Sequence, residues 1–176
     1  MMLNRLFTDY DSPLGRLTLT SDFEALTGVW FEGHWTHLDH PDFFYAKGSD
    51  FSPFHETILW LDSYFRGYCP KPSDLPISLE GTSFQLQVWD LLREIPYGCV
   101  VSYGAIARRI EQLTGKRSSA RAVGGAVGRN PVSIIIPCHR VIGADGSLTG
   151  FGGGLERKKW LLQHEESLGS CETRLW

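Results

Sequence analysis

A thiol and an imidazole stand side by side in Ile134-Ile135-Ile136-Pro137-Cys138-His139-Arg140-Val141. A nucleophile and a base are the chemistry such a pair can do. A free thiol titrates near about 8.5, so at neutral pH its sulfur needs a base or a positive field before it attacks carbon. His139 is the nearest base. Side chains at i and i+1 point to opposite faces of a strand and do not stack on a helix. Contact between these two therefore takes a sharp turn or a bridging water. The base in turn needs an acceptor that orients it. Glu165 is the candidate, in Trp160-Leu161-Leu162-Gln163-His164-Glu165, which reads as a short apolar helix. Taken alone, the adjacency equally describes a packing cysteine beside a satisfied histidine.

The elements around the pair must hold it in place. Residues 134–136 are three β-branched residues in a row, which predicts a strand buried on both faces that stops at Pro137. The first third of the chain predicts antiparallel strands: Asp11-Ser12-Pro13-Leu14-Gly15 is a turn, Leu17 and Leu19 alternate with polar residues, and so do Val29 and Phe31. A helix follows, with Ser52 as cap, Pro53 in the first turn, Phe54, Ile58, Leu61 and Phe65 as its apolar face, and Gly67 as its stop. The proline-rich stretch from Cys69 to Pro76 reads as a linker and puts a domain boundary near residue 80. Beyond it, Thr82-Ser83-Phe84-Gln85 has the capping-box pattern, ahead of an apolar face of Phe84, Val88, Leu91, Leu92 and Ile95.

Two short helices come next. One runs from about Tyr103 to Ile110. The other starts at Ser118 or Ser119, runs to about Val127 and buries Ala120, Val123 and Val127; Thr114-Gly115 lies between them, the pattern of a helix-turn-helix. On the second helix Arg121, Gly125 and Gly128 share a face, with Gly124 beside them. Each interior glycine costs a helix roughly 0.5–1 kcal/mol relative to alanine, so a bare backbone is wanted there. Close packing on a neighbouring helix and entry into a nucleic-acid groove both fit; Arg121 at the head of the smooth face favours the groove.

Charge distribution favours it too. The net charge is −3 over 176 residues, yet residues 1–80 carry five basic and twelve acidic side chains, while residues 101–140 carry seven basic ones against Glu111 alone. A basic block around the reactive cysteine is the footprint of a polyanion. Composition is that of an ordinary globular protein, 42% hydrophobic and 21% charged. No stretch reaches the length of a membrane span, and the N-terminus lacks a secretory h-region. The four cysteines, at 69, 99, 138 and 171, form no C-x-x-C pair, which predicts reduced thiols of a cytoplasmic protein and no zinc site.

The stretch from Gly81 to Glu165 resembles the O6-alkylguanine-DNA alkyltransferases. The resemblance rests on Phe84-Gln85 with Val88-Trp89, Ile95-Pro96-Tyr97-Gly98, Ser102-Tyr103, Ala120-Arg121-Ala122-Val123-Gly124, Asn130-Pro131-Val132, Pro137-Cys138-His139-Arg140-Val141, Gly153-Gly154 and Leu161-Leu162-Gln163-His164-Glu165, in the family's order. It implies an α+β fold. Residues 1–80 would form a ribonuclease-H-like sheet with a helix, and residues 81–176 a helical DNA-binding and alkyl-transfer domain with a winged-helix-like helix-turn-helix. The implied activity is one-time, irreversible transfer of an alkyl group from O6-alkylguanine, and O4-alkylthymine, in double-stranded DNA to Cys138, by a monomer without cofactor.

The resemblance also implies roles. His139, through a water and oriented by Glu165, takes the thiol proton. Asn130 steadies the turn that holds the site. Tyr103 sits against the flipped base and favours proton donation to guanine N3. Arg121 fills the stack the guanine leaves, and Gly124, Gly125, Gly128 and Arg129 face the DNA. Val127, Val141, Phe151 and Gly152 line the base pocket. Phe151 and Gly152 depart from a common Tyr-Ser pair, which removes two donors, leaves the guanine oxygen to backbone N–H groups and makes a roomier pocket. Residues 1–68 hold no cysteine, so the zinc some members carry is not expected, nor is the phosphotriester-sensing domain of some relatives. Two other readings stand beside this one: a DNA-lesion binder without transfer, whose kind lacks the reactive cysteine, and a Cys-His hydrolase, which needs an oxyanion hole.

Overall fold

In the computed structural model, residues 5–33 and 42–166 are described. The chain divides into two compact units, Met1–Glu80 with Pro131–Ser133, and Gly81–Asn130 with Ile134–Trp176.

The first unit holds a four-stranded sheet in the order β3-β2-β1-β4, built from β1 (Arg5–Ser12), β2 (Gly15–Ser21), β3 (Leu26–Phe31) and β4 (Phe43–Tyr45). The Ser12-to-Gly15 turn pairs β1 with β2 antiparallel, and β2 pairs with β3 the same way. The expected antiparallel strands are formed, and a fourth strand the sequence did not announce, β4, runs parallel to β1. Such a pair cannot be joined by a hairpin, so no turn signal announces it. Leu17, Leu19, Val29 and Phe31 alternate onto the buried face, and α1 (Ser52–Phe65) brings Phe54, Leu61 and Tyr64 to the same core. The cap of α1 differs from expectation. Phe51 is the N-cap, and Ser52 Oγ bonds Glu56 instead; Thr57, Trp60 and Tyr64 are buried where Ile58 and Phe65 are only half so. Residues 131–133 add a short bridge to β3: Val29 N–H donates to Pro131 O at 2.9 Å, and Ser133 N–H to Val29 O at 3.1 Å.

The second unit contains α2 (Ser83–Arg93), β5 (Val101–Ser102), α3 (Tyr103–Thr114), α4 (Ala120–Val127), β6 (Val141–Ile142) and α5 (Leu155–Glu166). The capping box of α2 is formed as the sequence predicts, with Gln85 N–H on Thr82 Oγ1 and Thr82 N–H on Gln85 Oε1. Helix α3 ends at Gly115, whose φ of +69° suits glycine. Ser119 caps α4. Val123, Ala126 and Val127 turn inward from α4 while Ala120 stays exposed, so its buried stripe starts one turn later than predicted.

The predicted strand at 134–136 is not formed. All three isoleucines are fully buried, but they lie in turns, and Ile134 takes φ +72°. A β-branched residue there is a real departure from ordinary backbone, which only its packing can hold. The strand comes after the cysteine instead, where β6 pairs parallel with β5. Of the four cysteines, Cys69 and Cys138 are free and Cys99 is disulfide-bonded, against the expectation of reduced thiols; Cys171 lies outside the described residues. Local spacing finds only neighbouring pairs.

Candidate active site

Cys138 sits on a tight turn. Pro137, at φ −81° and ψ 65°, is the centre of an inverse γ-turn, and Cys138 N–H donates across it to Ile136 O at 2.8 Å. Cys138 then opens a 3-10 turn that runs to Arg140. Asn130, at the end of the segment leaving α4, donates Nδ2–H to the same Ile136 carbonyl at 2.8 Å and hydrogen-bonds the thiol. Cys138 keeps only 4% of its surface. Burial pushes its thiol up, while the Asn130 side chain, the Lys158 charge and the backbone N–H groups of Cys138 and His139 pull it down; the net effect is upward.

His139 and Arg140 converge on Glu165. His139 Nε2 lies 2.6 Å from Glu165 Oε1. Arg140 donates from Nε to Oε2 at 2.8 Å and from Nη2 to Oε1 at 3.0 Å, and Gly98 N–H reaches Oε2 at 3.1 Å. Burial alone would raise the Glu165 carboxyl, but His139 and Arg140 facing it hold it well below the usual carboxylate range. Burial pushes His139 below its ordinary value, against the pull of Glu165. Arg140 already balances the carboxylate, so the imidazole stays neutral. An ionised carboxylate only accepts, so the ring proton sits on Nε2 and the lone pair on Nδ1. Nδ1 is buried with no hydrogen-bond partner. Of the two arrangements left open by the sequence, direct contact between imidazole and thiol is therefore not formed.

Lys158 was not singled out by its sequence neighbourhood. It is buried on α5, donating to Val141 O at 2.6 Å and Thr149 O at 2.7 Å, with its ammonium 5.9 Å from the centre of the Tyr103 ring. Burial lowers its pKa, and the cysteine raises it. The signal was present: Lys158, Leu161 and Glu165 fall at i, i+3 and i+7, one face of a helix. Arg140 was likewise missed as the second partner of Glu165. Tyr103 comes to the site at the first turn of α3. Its hydroxyl donates to Thr149 O at 2.7 Å; burial pushes its pKa up, against the pull of the Thr149 bond and with a smaller push from the Cys138 sulfur. Val141 is buried directly after the Cys138 turn and Val127 at the end of α4, while Phe151 is half-buried and Gly152 exposed on the loop after Thr149.

Gly125 and Gly128 of the α4 glycine face meet only residues 124–129, while Gly124 lies against the Tyr103 ring of α3. A Cβ on Gly125 would meet only the Arg129 side chain at 3.6 Å, and one on Gly124 only the Tyr103 ring at 3.8 Å, both ordinary contacts. Gly125 and Gly128 are exposed. Close packing on a neighbouring helix therefore does not account for glycine at 125 and 128. Arg121, Gly125 and Arg129 line a concavity of about 740 Å³ with Thr82, Phe84, Gln85 and Ser119, so the basic groups and the α2 N-terminus share one recess. Among the described residues no cluster of His, Cys, Asp or Glu could hold a metal ion.

The charge states make a testable statement about stability. His139 and Glu165 both titrate lower in the fold than in the unfolded chain. Their stabilisation is complete above about pH 6.5 and about pH 4.5 and is lost as the pH falls through those windows. Cys138 titrates higher in the fold, so its share is lost as the pH rises above about 9. The expected result is a melting temperature that declines from pH 7.5 to pH 5.5, with a shallower decline in His139→Asn. Equal slopes in both proteins would overturn the assignment of a neutral buried imidazole.

Comparison with known proteins gives a consistent picture. Residues 83–167 match the family model described as 6-O-methylguanine DNA methyltransferase, DNA binding domain, and residues 6–79 match the ribonuclease-like domain of the same family. A methylated-DNA–protein-cysteine methyltransferase of Haemophilus influenzae is 46% identical over 160 residues, covering 91% of this chain and 86% of that protein. One from Methanosarcina acetivorans is 43% identical, covering 92% and 97%. The crystal structure of Mycobacterium tuberculosis OGT in complex with DNA superposes with a TM-score of 0.81 at 41% identity, covering 94% and 95%.

Proposed function

Because this chain belongs to the 6-O-methylguanine DNA methyltransferase family, we propose that it reverses alkylation damage in DNA directly, with Cys138 as the acceptor. The observation that carries the assignment is a buried free thiol held by Asn130, beside an imidazole whose Nε2 is locked on Glu165. The sulfur attacks the alkyl carbon on O6 of guanine, or O4 of thymine. A C–S bond forms, the C–O bond breaks, and its electron pair returns to the base. The thiol proton leaves through a water to His139 Nδ1, and the base takes up a proton to become ordinary guanine. Lys158 and the turn's backbone N–H groups favour the thiolate during the transfer.

So buried a sulfur is reached only by a base taken out of the duplex. Arg121 fills the gap, the glycine face of α4 admits the groove, and Arg129 holds a phosphate. Val127, Val141, Phe151 and Gly152 receive the base. Tyr103 exchanges its bond with Thr149 O for the base and its phosphate as the nucleotide enters. No helix among the described residues is long and apolar enough to cross a membrane. The reaction needs Cys138 as a free thiol, which favours a reducing compartment such as the cytoplasm, while the disulfide at Cys99 counts the other way.

A thioether is a poor leaving group, so each molecule reacts once. Incubation with duplex DNA containing O6-methylguanine should add one methyl per protein, mapped to Cys138, and Cys138→Ala should take up none. Turnover beyond one equivalent, or a methyl on Cys69, would reject the proposal.

A further inference from the structure

Trp89 lies on α2, 2% exposed, and its indole N–H crosses to α4 to donate to Ala126 O at 2.9 Å. Gly81 makes room for the ring. A Cβ there would stand 2.8 Å from Cζ3 and 2.9 Å from Cη2 of the indole. The carbonyl does not need the indole, because Arg129 N–H already reaches Ala126 O at 3.1 Å. What the bond does is fix the last turn of α4 against α2. From that turn the chain goes straight to the site: Asn130 N–H closes on Val127 O at 3.2 Å, and the Asn130 side chain reaches Ile136 O and the thiol.

We infer that Trp89 is a positioning residue for alkyl transfer, holding the end of α4 at Ala126 so that Asn130 meets the Cys138 thiol. The inference rests on the alkyl-transfer reading of Cys138. Trp89 touches neither sulfur nor base. The ionisable groups around the thiol are Tyr103, His139, Arg140, Lys158 and Glu165, and none of them is bonded to the indole in this arrangement.

A double-mutant cycle tests it, read as the rate of S-benzylation by free O6-benzylguanine, which requires no DNA. One hydrogen bond of this kind is worth roughly fivefold to tenfold in rate if it acts on the reacting geometry. Trp89→Phe should slow the reaction about that much and move the midpoint of the pH–rate profile upward. In an Asn130→Ala background the same change should cost less than about twofold, because the arm it positions is gone. Gly81→Ala, which presses on the ring from outside, should act in the same direction and serves as the probe if Trp89→Phe does not fold. Additive losses, or an unchanged rate and midpoint in a folded variant, would overturn the inference. A wild-type protein that takes up neither benzyl nor methyl would instead sink the reading of Cys138 itself.

Discussion

Arg121→Ala is expected to slow methyl transfer from duplex DNA on the order of 30- to 100-fold while leaving the reaction with free O6-benzylguanine within about twofold. Extruding a base costs a few kcal/mol, and a side chain that occupies the vacated stack returns part of it. Losing about 2–3 kcal/mol of that support gives the stated factor at tenfold per 1.4 kcal/mol. The free base has no stack to leave, so it should not notice. Arg121 is exposed at the first turn of α4 and makes no ion pair with a carboxylate among the described residues, so its removal leaves the fold intact. If Arg121 were only a phosphate contact, the salt slope of binding would fall by about one unit and the two substrates would still react at nearly wild-type rates under saturating DNA. Single-turnover rates on both substrates decide the matter. Equal loss on the two would mean that Arg121 supports the site rather than the flipped state.

The second large effect is expected at Glu165→Gln. An amide offers N–H where the carboxylate offered only lone pairs. Facing His139 Nε2 with that N–H drives the ring proton to Nδ1 and removes the lone pair there. The base is then in the wrong tautomer, and general-base contributions of about 10²–10⁴ are at stake. A fall of about 10²- to 10³-fold in transfer rate from pH 6 to 9 follows, with DNA affinity unchanged. Glu165 also balances Arg140, and leaving a buried cation without its partner costs about 3–5 kcal/mol. Rates should therefore be taken at a temperature where the variant is folded by circular dichroism. Pairing Glu165→Gln with Arg140→Gln, which removes the stranded charge, should restore stability without restoring rate. Wild-type rates across the pH range in the folded single variant would remove Glu165 from the proton path.

Much of this was legible in the residues, and the reasons differ from place to place. The capping box of α2 and the serine cap of α4 are local chemistry written in four adjacent letters, and both are formed. The Cys138–His139–Glu165 grouping was legible because two of its members are adjacent and the third lies on a short helix. The turn at 134–136 was not. Three β-branched residues argue for a strand by propensity, and burial inside the fold overrode that preference, to the point of holding Ile134 at positive φ. The parallel β4 was hidden because it joins residues far apart in sequence. Lys158 and Arg140 were hidden for another reason. Charged residues default to the surface, and only the helical spacing of Lys158 with Leu161 and Glu165 marks it as facing inward.

The near-complete enclosure of Cys138 has a consequence for supply. A molecule that reacts once is inventory, and the number of lesions a cell can clear is the number of unspent copies it holds. A surface thiol would leak that inventory to every soluble electrophile and oxidant it met. Enclosure places the leak under the control of how often the fold opens, whereas consumption follows how often a damaged base is handed in. The stock therefore drains with the damage and keeps when there is none.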